Sequence, residues 1–152
     1  MIEWYWLLAM MIFMHVIEDF HIQGILAQMK QKVWWYHSIQ DSVRDSEDRH
    51  GNKADLDSES VTAFVEMRMR KYGKDYIVAL LFHGFEWAFF VCIPLMYFVG
   101  LSLPGFVIMC AMAPMHSLID HLKCNELAMN LIEDQAWHML QIGLMLGAWV
   151  AV

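Results

Sequence analysis

Apolar residues run along this chain in stretches of about twenty, the length at which a helix spans the hydrocarbon of a bilayer. The first predicted helix covers 3–27, apolar at its start and studded with polar groups after His15. Three more cover 76–99, 103–122 and 131–152, with a tight turn from Gly100 to Pro104 between the second and third. Pro94 and Pro114 fall inside apolar runs, where neighbouring helices satisfy the freed carbonyls, and kinks are expected there. One long polar stretch, 30–75, separates the first two helices. Its centre, Asp41 to Lys53, has almost no apolar residues and reads as a mobile loop. Ser60 to Arg70 follows with a cap-like Ser and helical spacing of apolar residues, predicting a short amphipathic helix on the membrane surface. Trp34, Trp35 and Tyr36 read as an interfacial anchor. The expected fold is all-α: a polytopic membrane four-helix bundle, one domain over 1–152.

Composition agrees with lipid as the solvent. Hydrophobic residues make up 59% of the chain, and the mean hydropathy of +0.37 is high for a soluble domain. All ten Lys and Arg lie between Lys30 and Lys74 or at Lys123, so the positive-inside rule makes that side cytoplasmic and both termini periplasmic. The expected location is a bacterial inner membrane, crossed several times. The N-terminus has no basic segment and no small-residue cleavage site, so it reads as a retained helix, not a signal peptide. The net charge of −7 is spread over loop and helices and gives no reason to expect nucleic acid. Cys92, Cys110 and Cys124 are scattered, which predicts neither a disulfide nor a thiolate metal site. The bilayer is the implied partner, with a second copy of the chain or a host membrane protein as further partners for the Met-rich helices.

Each predicted helix carries a histidine paired with an acid. His15 and Asp19 stand four residues apart, with Gln23 continuing the stripe; His116 and Asp120 repeat the spacing, and Asp134 and His138 invert it. His83 has Glu86 three residues on. In an up-and-down bundle His15 and His116 come late in descending helices, and His83 and His138 early in ascending ones. At 1.5 Å per residue all four reach one level, roughly 20 Å from the outer surface and about 10 Å from the inner one. Ionisable groups at that depth cost a few kcal/mol each and persist where they pair or bind something. The expected metal ligands are therefore His15, Asp19, His83, His116, Asp120, Asp134 and His138. Imidazole and carboxylate without thiolate suit a divalent transition metal, zinc foremost, with manganese, iron or nickel as alternatives, and this many donors accommodate one or two ions. Asp19 and Asp134 are the expected catalytic carboxylates, and Gln23, Lys123 and Gln135 the expected substrate contacts. The opposing reading is a network of His–Asp pairs that merely holds helices together. His21, His37, His50 and His121 are given no ligand role. Glu18 and Glu133 are expected to face headgroups, and Lys123 to snorkel or to meet an anionic substrate.

The strings from His15 to Gln23, Lys74 to His83, His116 to Lys123 and Asp134 to His138 resemble domain of unknown function family 3307, a set of small bacterial and phage membrane proteins. The resemblance runs in order over nearly the whole chain. It carries over His15, Asp19, Gln23, His83, His116, Asp120, Lys123, Asp134, Gln135 and His138, while Glu86 departs from the pattern. The long 30–75 stretch resembles that of the phage-type members.

Two functions follow. One is a membrane-embedded metal-dependent hydrolase acting near the cytoplasmic face on a lipid-linked, phosphate-containing or peptide substrate. The other is a non-enzymatic membrane protein with a structural metal site, a host partner or an ion-carrier role. The outer halves of the helices contain almost no polar groups, which disfavours a carrier.

Overall fold

The apolar runs fold into helices whose ends are marked by local capping chemistry. In the computed structural model, which describes residues 3–48 and 59–152, the elements are α1 (Trp4–Ile17), a π-helical turn (Glu18–Ile22), α2 (Leu26–Met29), α3 (Lys32–Asp48), α4 (Glu59–Tyr72), α5 (Asp75–Phe98), α6 (Leu103–Cys124) and α7 (Leu131–Val150). No strand occurs among the described residues. The Ser102 hydroxyl accepts from the Gly105 N–H to start α6. Asn130 and Glu133 form a reciprocal capping box that starts α7. Between α5 and α6 the chain turns at Gly100, whose φ of 98° suits glycine.

Among the described residues three segments are long and apolar enough to cross a membrane: Trp4–Ile22, a stretch within Thr62–Phe98 that contains α5, and Leu103–Cys124. Helix α7 is not among them, because Glu133, Asp134, Gln135, His138 and Gln141 interrupt its apolar run. Helix α5 packs against α1, α6 and α7, and α7 also lies along α1 and α6. At the end holding the start of α1 and the end of α7 the interior is wholly apolar, with Leu7, Met11, Val91, Leu95, Met109, Met145 and Trp149 buried together. Outward faces are also apolar: Phe13, Phe82, Phe89, Val107, Leu118 and Leu144 are all exposed. A chain that hides its ionisable groups and shows Phe and Leu to its surroundings matches a lipid solvent.

Lipid tails are as apolar as leucine, so helices associate in a bilayer through close packing and interhelical hydrogen bonds. Helix α5 supplies the closest approach. A Cβ on Gly84 would collide with the Ala113 carbonyl oxygen and the Ser117 hydroxyl of α6. At the same crossing the Ser117 hydroxyl donates to the Leu80 carbonyl, 2.8 Å away. Gly105 plays a similar part between α6 and α7, where an added Cβ would lie 2.7 Å from the Trp149 ring.

Two expectations need correction. The first helix does not run unbroken over 3–27: it widens into the π turn at Glu18 and ends where Gly24 takes a φ of 51°, leaving α2 as a separate short helix. Nor is the centre of the polar stretch a loop as far as it is described, since α3 runs from Lys32 to Asp48. The segment contains no Gly or Pro to stop a helix once begun. Residues 49–53 of that expected loop, His50 among them, lie outside the described residues. The amphipathic helix appears as α4, whose Val65 packs against Ile39 and Met69. Helices α5 and α6 continue through Pro94 and Pro114.

Candidate metal centre

Gly84 and Ser117 bring the backbones of α5 and α6 together one residue from His83 and one residue from His116. The consequence is direct contact between the two imidazoles, with Nε2 to Nε2 at 3.1 Å. His138 arrives from α7, its ring centroid 4.4 Å from that of His116. Asp120, one turn beyond His116, stands among the three. Its Oδ2 lies 3.1 Å from His83 Nε2 and 3.9 Å from His116 Nε2, and its Oδ1 lies 3.4 Å from His138 Nε2. Asp134, one turn before His138, places Oδ1 3.3 Å from the same nitrogen. All of these side chains are buried.

The π turn shapes the α1 side. One additional residue in the turn, closed by the Gln23 N–H donating to the Glu18 carbonyl, lets both Glu18 and Asp19 reach inward. Glu18 is fully buried, its Oε1 3.1 Å from His83 Nδ1, so it does not face headgroups as expected. A carboxylate behind an imidazole in this manner fixes the ring so that its other nitrogen points to a metal. Asp19 Oδ1 is 4.0 Å from His83 Nε2. Glu86 joins Glu18 and His83 in one group of close donors.

Among the described residues three donor groups are thus compact enough to hold an ion: Asp19, His83 and His116; His116, Asp120 and His138; and Glu18, His83 and Glu86. With ligand bonds of about 2.0–2.1 Å, the edge of a tetrahedron around zinc is roughly 3.3 Å. The His138–Asp120 and His138–Asp134 separations of 3.4 and 3.3 Å match that edge. Unmet hydrogen-bonding demand is spread over the cluster: Asp134 Oδ1, both ring nitrogens of His138 and His116 Nδ1 are buried without a hydrogen-bond partner, and so are both Glu18 oxygens, His83 Nδ1 and Glu86 Oε2.

Two of the seven expected ligands, His15 and Asp134, do not enter these groups. His15 lies within the same buried cluster, but its Nδ1 accepts from the Trp87 indole N–H at 2.8 Å. Its Nε2 is therefore the protonated nitrogen, donating to Gln135 Oε1 at 3.1 Å. Both nitrogens are occupied, and His15 stands outside the three groups. The three expected substrate contacts are engaged inside the cluster. Gln23 donates to Asp19 Oδ1 at 2.7 Å, Gln135 donates to Asp19 and Asp134, and Lys123 pairs with Asp134 Oδ2 at 2.5 Å instead of snorkelling. His21 is exposed and His121 pairs with Glu126.

Two buried residues complete the centre without having been expected there. Trp87 stacks on His116 at 4.2 Å and forms the boundary with the apolar interior; it stands four residues after His83, so the helical spacing already put it on the same face. Lys30, read from sequence as one of many loop cations, points inward to Asp120 Oδ2 at 2.5 Å and His83 Nε2 at 3.2 Å. Burial opposes its charge, but the Asp120 carboxylate outweighs that effect and holds the ammonium above the ordinary lysine pKa. Nothing in the local sequence distinguishes Lys30 from Lys32.

No protein-family model, curated protein or solved structure matches this chain. What the arrangement can do follows from its chemistry alone. Five carboxylates, Glu18, Asp19, Glu86, Asp120 and Asp134, stand against two ammonium groups, those of Lys30 and Lys123. That imbalance in a largely buried layer is a demand for further positive charge, which protonated imidazoles or a bound cation would meet.

Proposed function

We propose that the chain is a polytopic membrane protein, with α7 as the fourth spanning helix, and that its buried His–Asp centre binds a divalent transition metal for hydrolysis. The observation that carries this reading is the His116, Asp120 and His138 group: three buried donors from two helices within 4.8 Å of one another, with unpartnered atoms among them. Three protein donors leave a fourth position open, the pattern of catalytic rather than structural zinc. An ion held there lowers the pKa of coordinated water towards neutrality. Asp134 supports the catalytic reading, because its Oδ2 is fixed by Lys123 and Gln135 while its Oδ1 is free beside His138 to take a proton. The substrate class is a lipid-linked phosphate, a headgroup ester or a peptide near the face that carries the basic residues. Zinc is the first choice by donor type, with manganese or iron behind it. The resemblance to family 3307 is consistent with a small bacterial or phage membrane protein, both termini periplasmic.

A second reading has its own support. Lys30–Asp120 and Lys123–Asp134 are buried ion pairs that join separate segments, as a purely structural polar network would. The two readings separate by elemental analysis of detergent-purified protein. Hydrolysis predicts stoichiometric metal in wild type, lost together with the cellular effect of expression in folded His138→Ala and retained without that effect in folded Asp134→Asn. A metal-free wild type with full effect leaves the structural network as the function of the cluster.

A further inference from the structure

We propose that Lys30 is the built-in second cation of this centre, its ammonium filling the place a second metal ion would take beside His83 and Asp120. The inference rests on the metal-binding reading and adds a stoichiometry to it: one ion per chain, on the His138 side.

Asp120 presents its two oxygens to two different places. Oδ1 faces His138, whereas Oδ2 faces His83 and Lys30 Nζ, at 3.1 and 2.5 Å. This is the posture of a carboxylate bridging two cations, as in two-metal sites, and one of the two positions already holds an ammonium. His116 cannot complete both, because it is its Nε2 that faces His83 and Asp120, and one lone pair serves one ion.

Lys30 is also fixed in place. The Asn125 side chain, at the turn after α6, donates to the Lys30 carbonyl at 3.0 Å and accepts from the Lys32 N–H at 2.6 Å. The Trp35 indole donates to the Met29 carbonyl at 2.8 Å. The backbone on both sides of Lys30 is therefore tied down. A lysine near a helix end ordinarily carries its charge outward to water. This one is 7% exposed and turned inward, so its segment is built to deliver a charge.

Removing the ammonium frees His83 Nε2 and Asp120 Oδ2, 3.1 Å apart, and Asp19 Oδ1, 4.0 Å from the former, would be the third donor to an ion taking the vacated place. The experiment is zinc counting on full-length protein in detergent, loaded with zinc and washed with a weak chelator to strip exposed histidines. Wild type and Lys30→Arg are expected to hold one zinc per chain, Lys30→Ala two, and Lys30→Ala combined with His83→Ala one again. Lys30→Gln is run beside them, with helicity and size-exclusion profile as folding controls, so that the count stays measurable if the alanine variant does not fold. One zinc in folded Lys30→Ala or Lys30→Gln overturns the inference, and so do two in wild type, which leave the proposed function standing. No zinc in wild type overturns both.

Discussion

Substituting Gly84 with Ala tests whether the helix crossing builds the site. The new Cβ would strike the Ala113 carbonyl oxygen, a backbone atom that cannot swing aside, and the Ser117 hydroxyl that bonds Leu80. Helices α5 and α6 must then separate by about 1 Å, with an overpacking cost of roughly 1–3 kcal/mol. Alanine also favours a helix over glycine by about 1 kcal/mol, which partly masks that cost. Gly143→Ala on α7 isolates the clash, because nothing lies within 4 Å of its added Cβ and only the helix gain remains. The stability difference between the two variants is therefore expected at roughly 1–3 kcal/mol. The same separation pulls His83 and His116 apart from their 3.1 Å contact and disturbs the His116–Asp120–His138 group. Zinc affinity should fall about tenfold for each 1.4 kcal/mol so lost. The assays are unfolding in detergent and zinc competition against a fluorescent chelator. If Gly84→Ala matches Gly143→Ala in both, the close crossing does not position the centre and the reasoning is wrong.

In the Lys30→Ala background Glu18→Gln should keep the fold but weaken binding of the second zinc by about 10–100-fold, because the carboxylate behind His83 Nδ1 no longer orients the ring; unchanged affinity there would make Glu18 a bystander. For topology, a single cysteine placed at exposed Ser42 in a cysteine-free background should resist an impermeant thiol reagent in intact cells, whereas one at Val152 should react. The reverse pattern would invert the orientation.

The sequence made the shared depth of His83, His116, Asp120, Asp134 and His138 legible, because each helix carries its pair at a fixed spacing along a regular 1.5 Å rise. Regularity also explains what was missed. Glu18 reaches the interior only because the π turn departs from 3.6 residues per turn, which no periodic pattern announces. Lys30 reaches it through Asn125, distant in sequence, so its local context looks like that of any loop lysine. Side-chain competition was equally hidden: the spacing brings His15 to the cluster but cannot say that Trp87 and Gln135 take both of its nitrogens. The end of α3 escaped because Asp41 to Asp48 holds a single apolar residue, Val43, and so has the composition of a loop.

Trp87 has a consequence for where the centre draws its ions. Its indole lies flat against His116 and tethers His15, and behind it Leu7, Met11, Val91 and Met145 pack as an apolar cluster, with buried Gln141 held by the Met112 carbonyl. An ion held at the centre, and the protons around it, would then equilibrate with the side that carries the basic residues. A chelator or a pH jump applied on the side of the basic residues reaches the centre, and the same treatment on the other side of a sealed vesicle leaves it untouched. Occupancy would then report the metal and acidity of the side that carries the basic residues and ignore those of the other.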